Sequence, residues 1–316
     1  MSVLSRPEFH SEEAAFAHLE NLIWDEEVVC PHCGGMERIT KVKANPDKRI
    51  RIGLWRCGDC KGQFTVKVGT VFEHMRLPLH KAMQAVYLMT SSKKGVSAHQ
   101  LHRALEITYK SAWFLVHRIR EAMRSGELAV PFGSGGGVVE VDETYIGVLK
   151  GAIVRKGGAG HKMKVISLVD RDTGRVQSHS FDQMITTYVE PIVKANITKE
   201  ARLITDEAHI DKAVAKHFVS PESVNHKAGE YVRGDVFTNT VEGSFSIFKR
   251  GMKGIYQHCG EQHLHRYLAE FDFRYSSRAK LGIADPMRFD NALKGITGKR
   301  LTYRATGEYD RYGVQA

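Results

Sequence analysis

The chain has no uninterrupted apolar run near the roughly 20 residues that a membrane helix needs, which excludes an ordinary helical anchor. Residues 1–10 lack the basic-then-apolar layout of a signal peptide, so the expected compartment is the cytoplasm. Cysteine is scarce, five in 316 residues. Disulfides are rare in that compartment, so these thiols are expected to be free or metal-bound. Internal repeats are missing, and the one low-complexity block is a short glycine-rich run at 133–137. Acid is in deficit: 36 Asp and Glu stand against 46 Lys and Arg, a formal net charge of +10. That imbalance favours a polyanionic partner, because phosphate neutralisation is its commonest physical use. With 42% hydrophobic residues, a sizeable core remains available.

Four of the five cysteines fall into two pairs, Cys30-Pro-His-Cys33 and Cys57-Gly-Asp-Cys60. Two Cys-x-x-Cys pairs a few dozen residues apart place four thiolates tetrahedrally around one Zn²⁺. Gly34, Gly58 and Gly62 supply tight turns, and Trp55 and Phe64 are suited to cover the site. Four thiolates leave no open position, so this zinc is structural. Cys259 stands alone and reads as a small buried residue.

Residues 79–123 show helical periodicity. Ala98, Leu101 and Leu105 mark one apolar stripe; Ala112, Leu115, Ile119 and Met123 mark another, with a break at 106–109. The second helix carries Lys110, His117, Arg118, Arg120 and Arg124 largely off its stripe, as in a helix-turn-helix that meets DNA. A solvated face on an ordinary helical hairpin gives the same pattern. The run 133–137 then reads as a flexible linker and the domain boundary.

Beyond it, strand-like segments at 138–141, 164–169, 175–181 and 202–205 alternate with helix-like ones, and the turn at 170–174 signals a hairpin. A helix follows from Thr240, and Asp285-Pro286 starts one more, with Asp285 as its N-cap. Asp142 sits in an apolar strand, which is unfavourable unless a cation neutralises it. Alternation puts Glu140 and Asp142 on one face and Val139, Val141 and Glu143 on the other. Asp206 follows a second apolar strand. Glu242 lies on a helix whose Val241, Phe245, Phe248 and Met252 form the buried face, with Lys249 and Lys253 beside Glu242. Asp170 and Asp172 compete for the ligand role, but the hairpin turn accounts for both. Tyr145 and Tyr256 read as packing or DNA-contact residues. The segment 226–233, with Lys227, Tyr231 and Arg233, reads as a loop.

These residues carry a resemblance. Asp142, Asp206 and Glu242, with 35 residues between the last two and Lys249 seven beyond the glutamate, resemble the Asp–Asp–Glu motif of transposases and retroviral integrases. The strings Val141-Asp-Glu-Thr-Tyr-Ile-Gly147, Thr238-Asn-Thr-Val-Glu-Gly243 and Phe248-Lys-Arg-Gly-Met-Lys-Gly-Ile-Tyr256 resemble one group in particular. That group is the insertion-sequence transposases with an N-terminal zinc ribbon and an ISXO-like catalytic domain. The resemblance runs from Cys30 to about Arg278, and Ser276 and Ser277 depart from the pattern of that group.

The resemblance implies an α/β multi-domain chain. Residues 1–70 would form the zinc ribbon, 71–130 a helix-turn-helix-like DNA-binding segment, 137–283 a ribonuclease-H-like mixed-sheet catalytic domain, and 284–316 a C-terminal helix and tail. It makes Asp142, Asp206 and Glu242 ligands of catalytic Mg²⁺ or Mn²⁺. Some members use asparagine at the third position, which makes Asn239 a second candidate. Lys249, Arg250, Lys253, Arg118 and Arg120 become DNA contacts. Two divalent ions about 3.5–4 Å apart would bridge the scissile phosphate for cleavage of transposon ends and strand transfer into target. The expected partner is double-stranded DNA, bound by a homo-oligomer at the bacterial nucleoid. Two rivals stay open: a catalytically silent DNA-binding regulator derived from a transposase, and a nuclease that hydrolyses without joining.

Overall fold

A computed structural model of the chain describes residues 2–25, 27–124, 130–154, 158–181, 186–206, 214, 216–224 and 228–302. It divides into two compact units: Met1–Met123 with Ile283–Arg304, and a second from Arg124–Gly282.

The first unit opens with α1 (Glu12–Trp24), which Ser11 caps by accepting the Ala14 N–H at 3.3 Å. Three short strands follow, β1 (Ile39–Lys41), β2 (Trp55–Cys57) and β3 (Gln63–Phe64), in an antiparallel sheet. The periodic stretch after it forms three helices: α2 (Leu79–Ser91), α3 (Ala98–Ala104) and α4 (Tyr109–Met123). Pro78 precedes α2 and has no side-chain acceptor, so Glu12 of α1 supplies one, taking the N–H groups of Leu79 and His80. Between α3 and α4 the chain reverses at Glu106, whose φ is +51°. The last helix is α8 by chain order (Asp285–Lys294). It packs on α1, α2 and α4, with Phe289 among the rings of Phe9 and Tyr87 at 5.3 and 6.0 Å. It therefore belongs to the N-terminal unit, whereas segmentation of the sequence set 284–316 apart. Its N-cap is Ala284, not Asp285. Proline is tolerated throughout the first helical turn, so the boundary lies one residue earlier than expected, and Asp285 instead pairs with Arg288 at 3.0 Å.

The second unit is built on a five-stranded sheet of β4 (Val138–Ile146), β5 (Met163–Asp170), β6 (Val176–Phe181), β7 (Arg202–Asp206) and β8 (Ser220–Val224). The spatial order is β6-β5-β4-β7-β8, antiparallel through β6-β5-β4 and parallel through β4-β7-β8. Alternate side chains split it into two cores. Val139, Val141, Ile166, Leu168 and Leu203 pack with Val189 and Val193 of α5 (Thr186–Asn196). On the other face, Val165 and Val169 pack with α6 (Asn239–Gly251) and α7 (Leu264–Ser276) through Val241, Phe245, Leu268 and Phe271. Helices on both faces of this mixed sheet are compatible with a ribonuclease-H-like domain.

The glycine run is not a linker. It forms a turn inside the second unit, where the Gly133 N–H donates to Asp170 at 3.1 Å and the Arg202 N–H to the Gly137 carbonyl at 3.1 Å. Gly133 has φ +72°, and a Cβ there would lie 2.4 Å from that of Ala201. Close approach to β7 demands glycine at this point. The Asp170 carboxylate also accepts the N–H groups of Asp172 and Thr173, which closes the β5–β6 hairpin.

Candidate functional site

The two cysteine pairs meet at one point. Sγ atoms of Cys30 and Cys60, and of Cys33 and Cys57, are 3.7 Å apart, and all four lie within 4.8 Å of one another. A tetrahedron with Zn–S bonds of about 2.3 Å has edges of about 3.8 Å, so the spacing fits a Cys₄ zinc and not a disulfide. Each pair rides on a turn: the Cys30 N–H donates to the Gly35 carbonyl at 2.9 Å, and the Cys57 N–H to that of Gly62 at 3.0 Å. Cys30, Cys57 and Phe64 are buried together, with Trp24 and Trp55 packed against them. The cluster supports structural zinc, held by the expected residues. Cys259 is buried in the second unit beside α6 and α7.

The carboxylates converge within the second unit. Asp142, Asp206 and Glu242 line one open cavity of about 570 Å³, with Glu143, Thr144, Phe245, Ser246, Lys249, Arg250 and Lys253. Two neighbouring parallel strands deliver the aspartates. The β4–β7 ladder runs from Val138↔Arg202 to Val141↔Thr205, and Asp142 and Asp206 are the next residue on each strand. Crevices beyond the carboxyl ends of parallel strands are where open α/β sheets bind ligands. Glu242 comes from the first turn of α6, where the Thr238 hydroxyl donates to it at 3.1 Å. Helical spacing sets Lys249 and Lys253 on the same cavity. Burial holds the Lys249 ammonium below the usual lysine range; the charge of Asp142 opposes this, and Lys253 and Lys162 reinforce it. Among the described residues, the cysteines are the one group of three or more His, Cys, Asp or Glu side chains whose ligand atoms all lie within 4.8 Å of one another. The carboxylates are a cavity lining, with the hard oxygen donors that suit Mg²⁺ or Mn²⁺.

Several expectations change. Glu143 shares the cavity with Asp142 although alternation sets it on the opposite face. Past Val141 the β7 ladder has stopped, so the cleft is open to side chains from either face of β4. Asn239 is exposed as the first residue of α6 and is not among the lining residues. His226 and Lys227 lie outside the described residues; Tyr231 is exposed, and Arg233 donates to the Ser223 carbonyl at 3.1 Å. Tyr256 is a packing residue, against Tyr267 and Phe271 and bonded to Glu270. The departing stretch near Ser276 is structural: the Val176 N–H donates to the Ser276 hydroxyl at 2.9 Å, and Arg278 donates to the Gly174 carbonyl at 2.8 Å. Lys162 near Lys249 and the buried Glu140 carried no signal in the sequence beyond charge and strand position.

Arg118 and Arg120 are buried, at 8% and 2% exposure, and do not present a phosphate-binding face. α4 is packed by α2, α3 and α8, so residues off its apolar stripe are enclosed as well. Arg118 lies over the Phe114 ring at 4.7 Å. Arg120→Ala is expected to lower the stability of the chain by about 2–3 kcal/mol in urea unfolding. Lys110→Ala, exposed at the start of α4, should leave stability unchanged and reduce the salt slope of DNA binding by about one. A stable Arg120→Ala chain with weakened DNA binding would return Arg120 to the interface.

A thiol ribbon ahead of a mixed sheet with carboxylates at its parallel strand ends is the layout of a transposase. Two family models match the chain in that order: a transposase zinc-ribbon domain over residues 10–63, and an ISXO2-like transposase domain over residues 135–276. The chain therefore carries both domains of an insertion-sequence transposase, the ribbon first. It is also similar to an uncharacterised protein in the transposable element ISH50 of Halobacterium salinarum, 28% identical over 287 residues, 84% of this chain and 91% of the relative. Among the described residues no helix is long and apolar enough to cross a membrane.

Proposed function

We propose that this transposase cuts the ends of its own element and joins them to target DNA, with Asp142, Asp206 and Glu242 as the acidic centre. The observation that carries this reading is the convergence of three carboxylates, from two strands and one helix, on a cavity bordered by Lys249, Arg250 and Lys253. A shared divalent cation gives these acids a reason to converge, in addition to the charge of Lys249 beside Asp142. Asp142, Asp206 and Glu242 would hold divalent ions, which would supply Lewis-acid stabilisation of the charge developing on the phosphate. The protein's own part is positional. β4 and β7 hold the two aspartates in fixed register, and α6 sets Glu242 across from them. Lys249 on α6 and Lys253 just beyond its end draw the DNA backbone along the cavity edge, where both face phosphate oxygens. No serine or tyrosine nucleophile is required, because water and later a DNA 3′-hydroxyl attack directly. Two ends must be handled together, so the working form is a homo-oligomer on double-stranded DNA.

The test is nicking of a labelled duplex drawn from the DNA flanking the gene, with Mg²⁺, by wild type and Asp142→Ala. A defined nick that disappears in the variant, with binding retained, supports the reading. Cleavage surviving in Asp142→Ala removes that residue from the mechanism. Binding without cleavage by either chain would identify a silent regulator, and nicking without strand transfer a simple nuclease.

A further inference from the structure

Glu140 is the most completely buried acid on the catalytic sheet, at 0% exposure, and lies two residues before Asp142 on the same face of β4. A carboxylate so placed is unfavourable unless it is fully satisfied. One of its oxygens accepts the N–H groups of Thr240 and Val241 at 2.9 and 2.8 Å. The other accepts Arg171 Nε at 2.5 Å. The two amides belong to the first turn of α6, whose N-cap residue Thr238 makes no side-chain capping bond. Glu140 thus replaces the missing cap from a strand 100 residues away, where a negative charge also matches the positive end of the helix dipole.

Arg171 extends the same clamp. Its Nη1 donates to the Asp235 carbonyl at 2.8 Å and its Nη2 to that of Phe237 at 2.5 Å, and its guanidinium stacks 3.7 Å from the Phe237 ring centroid. All three contacts grip the segment that leads into α6. Glu242 follows Val241 directly, so the clamp ends one residue short of the third carboxylate. The mechanism proposed above uses neither residue of this pair.

We propose that Glu140 and Arg171 are positioning residues that lock the first turn of α6 to β4 and so hold Glu242 opposite Asp142 for divalent-ion binding. The inference rests on the reading of the cavity as a metal site. It differs from a role in stability alone in one consequence: loosening the clamp shifts metal affinity, not only the unfolding midpoint. Groups that orient metal ligands typically change affinity 10–100-fold when replaced.

The experiment uses the full chain without DNA. Mn²⁺ binding is read by electron paramagnetic resonance, and hydrogen exchange is followed in peptides covering residues 238–248, for wild type, Glu140→Gln, Arg171→Lys and Asp142→Ala. Glu140→Gln keeps the shape but loses the charge and one acceptor. It is expected to speed exchange at the first turn of α6 at least about tenfold and to weaken Mn²⁺ binding about tenfold. Arg171→Lys keeps the charge but loses the fork; it should show the same pair of effects at a smaller size, and serves should Glu140→Gln fail to fold. Faster exchange with wild-type Mn²⁺ affinity would reduce the clamp to a stabiliser and overturn the proposal, as would no change in either. Asp142→Ala that binds Mn²⁺ as tightly as wild type would instead sink the metal-site reading itself.

Discussion

Glu242→Gln is expected to slow end cleavage by about 10³-fold or more, equivalent to about 4 kcal/mol of transition-state stabilisation, while DNA binding stays within a few-fold. Glutamine has the shape of glutamate and leaves the buried face of α6, Val241, Phe245 and Phe248, untouched. What it removes is a negative charge from a cavity that Asp142, Glu143 and Asp206 also line. Asn239→Ala is the necessary companion, because both residues sit in the first turn of the same helix. Asn239 is exposed and absent from the cavity lining, so its loss should change the rate by less than about threefold. Single-turnover nicking of a pre-bound duplex measures both. Equal losses would make the third acidic position a shared one, and a larger loss at Asn239 would transfer the ligand role to it. Weakened binding in Glu242→Gln with an unchanged rate would show that this face serves DNA contact alone.

What was legible in the sequence was what depends on short spacing. The Cys-x-x-Cys pairs, the acid Asp142 in the strand that starts at Val138, and the grouping of Glu242 and Lys249 on α6 with Lys253 just beyond it are each set within a few residues, where helical or strand periodicity is decisive. The structure brings the last two together at one cavity. What was illegible depends on partners far along the chain. Arg118 and Arg120 looked exposed because α4 was read with one neighbour, whereas α8, more than 160 residues later, packs on it too. β8 carries Ser220-Pro-Glu-Ser-Val224, polar because it lies at the sheet edge, where proline costs no ladder bond. The run at 133–137 has the composition of a linker and the geometry of a packed turn, a difference decided by Ala201 and Asp170. Glu140 was placed on the correct face of β4, but its partners Thr240, Val241 and Arg171 appear only when strand and helix cross.

Loss of zinc is expected to unfold the ribbon altogether. Its strands are two or three residues long, and its buried cluster consists of Cys30, Cys57 and Phe64 with Trp24, Val28, Ile39, Trp55 and Val68 partly covered around them. Two of the three fully buried members are themselves metal ligands, so removing the ion leaves an apolar core far too small to hold so short a sheet. Structural zinc contributes on the order of 10–16 kcal/mol in comparable Cys-rich modules, more than any other single interaction in this unit. Cys57→Ala, or a strong chelator with wild type, should therefore abolish the one equivalent of bound zinc and expose Trp24 and Trp55, read as a red shift of tryptophan emission. Thiolates must be deprotonated to bind, so the same transition should appear in wild type as pH falls. The second unit keeps its own sheet and two cores, and its far-ultraviolet signal should persist. A Cys57→Ala chain that retains stoichiometric zinc and native emission would show that the ribbon does not depend on the four-thiolate site. Uptake of zinc by wild type without any change in emission would separate metal binding from folding, and the ribbon would then stand on Trp24, Trp55 and Phe64 alone.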